Sequence, residues 1–451
     1  VSLVNRDDQQ SEFALSNTSP PASEISSAPP PPIHDPYAAM RSRDFRLLLI
    51  GSFIVSMGER MLEVALGWDL YDRTNSALVL GGVGLVLIIP VILLSLPAGH
   101  IADRVNRKAI MLISQSVLVI ASLGLAAFSL FHGSLILIYA CLFVIGTATA
   151  FLNPASSALS AQTIPEEHFE NSATWSSSSW QLASVMGPGL GGTLVGLFHS
   201  ATLVYVLNAL AAFTFVILLI FIKARHQVVK AEAQKEKAET SWREVFEGVH
   251  FLRRTPVLLA AITLDLFAVL LGGATTLLPI FARDILHVGP TGLGWLRAAP
   301  SIGALCVVLI LTHRPPFKRA GPTLLIAVAG FGLATIVFGL SRSFWLSLAM
   351  LFLLGALDDV SVVIRSSLLL TRTPNEMRGR VSAVNSLFVG ASNELGGFES
   401  GLTAQLFTPI LSVVAGGIGT ILVVICVALC WPEMRRLGTL RETEKQPDQD
   451  H

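Results

Sequence analysis

Twelve apolar stretches, each long enough to cross a lipid bilayer, occupy most of the chain. About 20 apolar residues match the hydrocarbon thickness, and every backbone polar group inside lipid needs a partner within the protein, which leaves only helices and closed barrels. Runs of this length fit helices. We place the spans at 45–71, 77–101, 109–130, 134–157, 171–196, 201–222, 256–282, 292–312, 321–340, 344–369, 380–406 and 410–431. The expected fold class is an all-α membrane protein of twelve transmembrane helices. Charged residues make up 14% of the chain, where a soluble protein carries about 25%.

The 31 basic and 31 acidic residues cancel, so net charge gives no case for nucleic-acid binding, and the informative quantity is where charges sit. Three Lys and Arg fall well inside spans (Arg60, Arg297, Arg365) and three in the short loops of one side (Arg73, Arg283, Arg342), leaving 25 on the other, with Arg46 and Arg380 at the span ends there counted among them. Basic loops stay in the cytoplasm, so both termini are expected there. Residues 1–42 run through Ser19-Pro20-Pro21 and Pro29 to Pro32 without an apolar core or cleavage site, and read as a disordered cytoplasmic tail. Residues 432–451 read as a second tail. Cys141, Cys306, Cys426 and Cys430 lie in apolar spans and read as packing residues.

The longest loop, 223–255, opens with the charged run Lys230 to Lys237 and closes with Trp242, Val245, Phe246, Val249 and Leu252 at helical spacing. It reads as a linker ending in an amphipathic helix on the membrane surface. It separates a six-helix half at 43–222 from another at 256–431. At an offset of 209 the halves look like copies: Pro165 pairs with Pro374, Glu167 with Glu376, Gly187 with Gly396 and Gly192 with Gly401. Two such six-helix pseudo-repeats place a site between them near the midplane.

Between the second and third spans stands Gly99-His100-Ile101-Ala102-Asp103-Arg104-Val105-Asn106-Arg107-Lys108. Gly99 permits close helix approach, Asp103 suits a neighbouring helix N-terminus near Gly379-Arg380, and Arg104, Arg107 and Lys108 suit an anionic membrane face. The loop resembles the G-x-x-x-D-R-x-G-R-K signature of the major facilitator superfamily, in the same place. Asn106 stands where the family has glycine, and asparagine is the next best residue for a left-handed turn.

In the fifth span Gly187-Pro188-Gly189-Leu190-Gly191-Gly192 resembles the G-P-x-x-G-G element of the superfamily's proton-coupled drug antiporters. Gly187, Pro188, Gly191 and Gly192 would serve close helix packing and bending. The runs Leu354 to Arg365, Thr373 to Asn385 and Gly390 to Gly401 are similar to the branch holding the enterobactin exporter and macrolide efflux proteins. That resemblance implies export of a hydrophobic or siderophore-like small molecule by proton antiport across a bacterial inner membrane, by a monomer in contact with membrane lipids. It implies no cofactor and no enzyme activity, and the chain has no Walker loop and no metal-ligand cluster. A lipid flippase on the same fold, or a membrane sensor that no longer transports, stays open as an alternative.

A charge at the bilayer centre costs at least about 2.5–3.5 kcal/mol, so each needs a partner, a watery cavity or a function. Glu59 and Glu63 share a face of the first span, where either could exchange protons, unless Arg60 folds back to neutralise Glu63. Asp358, Asp359 and Glu394 are the further proton-coupling candidates. Asp358 and Arg365 share a face of the tenth span and are expected to meet partners on the fourth, eighth or eleventh. Arg60, Gln181, Asp265, Arg297, Arg365 and Asn393 are the substrate-cavity candidates.

Overall fold

The computed structural model describes residues 35–223, 241–314 and 317–438. Residues 1–34, the charged run of the linker and the end of the second tail lie outside the described residues. From Ala38 onward the described chain is helical. Six long helices precede the linker: α1 (Arg43–Thr74), α2 (Ala77–Arg104), α3 (Arg107–Leu130), α4 (Leu135–Gln162), α5 (Phe169–Phe198) and α6 (Thr202–Phe221). After it come α7 (Ser241–Arg254), α8 (Pro256–Leu271), the short α9 (Leu278–Ile280), α10 (Gly289–Thr312), α11 (Ala320–Leu340), α12 (Phe344–Arg372), α13 (Arg378–Leu406), α14 (Pro409–Cys430) and the short α15 (Pro432–Arg436).

Among the described residues, nine segments are long and apolar enough to cross a membrane: Ala77–Ser95, α3, α4, α6, Pro256–Ile285, α10, α11, α12 and α14. Three further long helices, α1, α5 and α13, fall short of that hydropathy because polar side chains interrupt them, among them Glu59, Arg60 and Glu63 in α1 and Asn393, Glu394 and Glu399 in α13. Each packs on helices that can shelter its polar residues from lipid, α1 on α5 and α6, α5 on α1 and α10, and α13 on α2 and α8.

In the first set α1 packs on α5 and α6, α3 on α4 and α6, and α2 on α4; in the second α10 and α11 pack on α12, α11 on α14, and α8 on α13 and α14. Two crossings join the sets, α5 with α10 and α2 with α13. Each is built on a pair of glycines. A methyl group at Gly192 would stand 2.7 Å from the Gly294 Cα, and one at Gly401 would stand 2.8 Å from the Gly81 Cα. Backbones approach this closely only where side chains are absent. Gly192 and Gly401 are equivalent at the 209-residue offset, so the two crossings repeat one device.

We call the end where α1 finishes distal and the end where it starts proximal. Both glycine crossings lie toward the distal end, where polar contacts also join the sets. The Tyr71 hydroxyl donates to Asp284 Oδ2. Arg283 donates to Asn75 Oδ1 at 3.1 Å and pairs with Asp72 at 3.4 Å. Gln405 Oε1 accepts from the Ser76 hydroxyl and the Ala77 N–H at 3.0 and 3.1 Å. On the proximal parts of the same helices, methyl groups at Gly99, Gly379 and Gly390 would meet no atom within 4 Å. In this conformation α2 and α13 are tight distally and loose proximally, so the close approach expected at Gly99 is not made.

Several expectations change. The segment 1–42 does not stay irregular to its end: Ala39–Arg41 forms a 3-10 turn, and the Ala39 N–H donates to Asn171 Oδ1 at 3.0 Å. Helix α7, expected to be amphipathic, has a protein partner. It docks on the start of α13, with Glu247 paired to Arg380 at 2.6 Å, Gly248 against the Arg380 carbonyl and Leu252 buried. The second tail begins as α15, and the carbonyls of Gly438 and Leu437 accept from Ala320 and Gly321, capping the otherwise orphaned N–H groups at the start of α11. The seventh span is not one helix. It breaks at Gly272-Gly273, continues through a 3-10 turn at Ala274–Leu277 and α9, and ends in a π-helical stretch at Phe281–Ile285. Gly273 abuts the Gly396 carbonyl and Pro279 lacks an N–H, so a regular ladder cannot run through.

Candidate functional site

A cavity of about 380 Å³ lies between the two sets, walled by α1, α2, α4, α10, α13 and the broken seventh span. That volume is in the range of small-molecule sites. Its walls are mostly aliphatic: Leu62 and Leu66 from α1, Val83 and Leu87 from α2, Leu142 and Ile145 from α4. Into this lining project four charged side chains, Glu59 and Glu63 from α1, Arg297 from α10 and Glu394 from α13.

Glu63 is held from both sides. Its Oε1 accepts from Arg60 at 2.8 Å and its Oε2 from Arg297 at 3.3 Å, so the second pair crosses from one set to the other. Arg60 does fold back onto Glu63, and its guanidinium also lies over the Trp180 ring at 5.5 Å. Arg297 in turn donates to the Thr275 carbonyl at 3.2 Å. That carbonyl belongs to the 3-10 turn after the Gly272-Gly273 break and also accepts from the Leu278 N–H, so Arg297 takes its second lone pair.

Glu59 and Glu394 make no hydrogen bond or ion pair among the described residues. Glu59 lines the cavity, with its side chain exposed to it. The Glu394 carboxylate lies over Gly84, where a methyl group would collide with it. The cavity therefore collects Glu59, Glu63 and Glu394 of the proton-coupling candidates, and Arg297 of the substrate candidates, with Arg60 bonded to Glu63.

The remaining candidates stand elsewhere. Asp265 and Arg365 form a buried ion pair between α8 and α12, with 7% and 6% of their side chains exposed. The partner of Arg365 is thus on the seventh span rather than the fourth, eighth or eleventh. Asp358 lies near this pair and Asp359 follows it, neither on the cavity wall. Gln181 donates to the Ser301 carbonyl at 2.9 Å, tying α5 to α10. Asn393 spends an amide hydrogen on the Val389 carbonyl of its own helix.

In the loop after α2, Asn106 is not left-handed. Its φ is −58° and it caps α3, its Oδ1 accepting from the Lys108 N–H at 3.0 Å, which is the other turn-making talent of asparagine. Lys108 Nζ donates to the Ile220 and Ile222 carbonyls at 2.9 and 2.7 Å and so caps α6. Arg107 reaches the Ala158 carbonyl at 3.4 Å, and Arg104 is exposed. The Asp103 side chain lies outside the described residues. In the glycine element of α5, Gly187 and Gly191 abut α1 at Arg60 and Met61, Gly192 abuts α10, and Pro188 is buried with its carbonyl toward Gly294. The element holds α5 between a cavity helix and the other set.

A second hollow, of about 340 Å³, lies between α1, α5 and α6 and includes the exposed Leu190 and Leu210. The hydroxyls of Thr193 and Thr214 there are spent on the carbonyls of Gly189 and Leu210, so this groove offers a ligand only apolar groups. Thr275, Gly84 and the distal contacts of Tyr71 and Asp284 escaped the sequence reading. The glycine pair inside an apolar span was the available signal for the first.

A family model described as Major Facilitator Superfamily matches residues 48–393. The enterobactin exporter EntS of Shigella flexneri is 26% identical over 404 residues, covering 89% of this chain and 94% of that protein. The multidrug efflux pump Tap of Mycolicibacterium fortuitum is 25% identical over 360 residues, 78% of this chain and 86% of that protein. Among solved structures, the nucleoside transporter NupG superposes with a TM-score of 0.66 at 15% identity, covering 87% of this chain and 99% of that one. With the glycine crossings and the interset cavity already in place, the conclusion is that the chain belongs to the Major Facilitator Superfamily of membrane transporters.

Proposed function

We propose that this transporter exports a small hydrophobic or amphipathic molecule from the cytoplasm of a bacterium in exchange for protons, by alternating access. The observation that carries this is the pair Glu59 and Glu394, carboxylates from the two sets that face one cavity without ion-pair partners. A carboxylate at this depth can gain or lose a proton according to which side the cavity faces, and rocking one set against the other exposes it to each side in turn. Glu63 differs from them in that both its oxygens are engaged by guanidinium groups. Lys and Arg gathered at the proximal end put that end in the cytoplasm, so the closed distal end faces outward. Export as the direction is supported by the efflux pump and the siderophore exporter among the relatives.

The test is transport by the purified chain in proteoliposomes under an imposed pH gradient. Uphill substrate movement with stoichiometric proton counterflow is expected, lost in Glu59→Gln and in Glu394→Gln. Substrate movement indifferent to the gradient would refute proton exchange, and undiminished coupling in both variants would refute the assignment of these residues.

A further inference from the structure

We infer that the cavity between the two helical sets selects amphipathic organic cations, an apolar body bearing one positive charge held between Glu59 and Glu394. This rests on the cavity being the transport site and adds the sign of the charge that it accepts. The structure carries the inference through the pairing of its ionisable groups. Glu63 takes Arg60 on one oxygen and Arg297 on the other, and Arg297 also donates to the Thr275 carbonyl. Arg60 is further engaged by the Trp180 ring. Both guanidinium groups are therefore paired with the same carboxylate.

An entering anion would share an apolar cavity with the unpartnered Glu59 and Glu394 carboxylates, drawn only by an Arg297 whose charge Glu63 already offsets. A cation displaces nothing. Glu59 and Glu394, both unpartnered among the described residues, already face the lumen. Three carboxylates against two guanidinium groups leave one negative charge when all are ionised, which a single cation neutralises. Leu62, Leu66, Val83 and Leu87 supply the apolar contact for its body. The charged groups facing this space are Glu59 and Glu63 from α1, Arg297 from α10 and Glu394 from α13, with Arg60 bonded to Glu63, while α2 and α4 face it without a charged side chain.

Tetraphenylphosphonium and tetraphenylborate have nearly the same shape and opposite permanent charge, so their equilibrium binding to the purified full-length chain reads the sign directly. The phosphonium should bind at least about tenfold tighter than the borate, roughly 1.4 kcal/mol. Because neither probe titrates, phosphonium binding should weaken as pH falls and the cavity carboxylates take up protons. Glu59→Gln and Glu394→Gln should each weaken it about tenfold while leaving the weak borate binding no weaker.

Equal binding of the two probes, or tighter borate binding, overturns the inference, and the wild-type comparison decides this even if a variant fails to fold. Phosphonium binding of the expected sign without proton-driven flux would sink the exporter proposal and leave the charge selectivity standing. Proton-driven export of anionic catecholates without phosphonium binding would do the reverse.

Discussion

Replacing Gly401 by valine should move the transporter from its distally closed to its distally open conformation without unfolding it. A β-carbon at Gly401 would lie 2.7 Å from the Ala77 carbonyl oxygen and 2.8 Å from the Gly81 Cα. Carbon atoms rest at about 3.5–4.0 Å, so α2 and α13 must separate by roughly 1 Å at the crossing. The nearby hydrogen bonds from Ser76 and Ala77 to Gln405 would be stretched with it. Overpacking of this kind costs about 1–3 kcal/mol. The cost falls only on the state in which the crossing is closed, so the closed-to-open ratio should drop by about 5- to 150-fold.

Spin labels at the exposed positions Phe198 and Leu340, at distal ends of the two sets, report the change as a longer population in the distance distribution. Gly379→Val is the control: it lies on the same helix, where an added methyl group would meet no atom within 4 Å, and valine, a better helix former than glycine, does not weaken the helix at either position. An unchanged distance distribution in Gly401→Val, or an equal change in Gly379→Val, would refute the reasoning. A fall in Tm with unchanged distances would make the crossing a stabilising contact with no part in the conformational change.

Gly192→Val should reproduce the shift at the equivalent crossing, since a β-carbon there would stand 2.7 Å from the Gly294 Cα; the same labels read it. Arg365→Met strands a buried Asp265 and should cost about 3–5 kcal/mol, with most of the loss recovered in the double variant Asp265→Leu, Arg365→Met, as measured by thermal unfolding in detergent. Lys108→Met removes two bonds to the end of α6 and should cost about 1 kcal/mol by the same assay. Tyr71→Phe removes the donor to Asp284 and should raise the distally open population by several-fold, about 1 kcal/mol; the spin-label distances check it.

The helical class was legible because bilayer thickness imposes a length on each span, and the duplication because Gly187 and Gly192 recur as Gly396 and Gly401. Contacts between distant helices were not legible. Spacing put Asp358 and Arg365 on one face of α12, yet the group that meets Arg365 is Asp265, 100 positions earlier, and helical periodicity carries no information about which helix lies opposite. The same holds for Arg297, which meets the Thr275 carbonyl in a 3-10 turn after a break that a purely apolar count reads as continuous helix. Asn106 was recognised as a turn residue, but the two conformations asparagine favours, left-handed and capping, are decided by whether a helix starts at once behind it, as α3 does.

The three long helices that fall short of the membrane hydropathy test are also the ones on which the chemistry and the set-to-set contacts concentrate. Helix α1 carries Glu59 and Glu63, α13 carries Glu394, and α5 carries the glycines that bridge α1 to α10. A polar side chain is tolerated at this depth where protein or a cavity, rather than lipid, surrounds it. The glycines make that possible: by bringing α5 against α1 and α10, and α13 against α2, they enclose the helices that are too polar to face hydrocarbon. A larger residue at these crossings therefore acts twice, on the balance of conformations and on the shelter given to Glu59 and Glu394, so transport in Gly192→Val and Gly401→Val should fall further than the conformational shift alone accounts for.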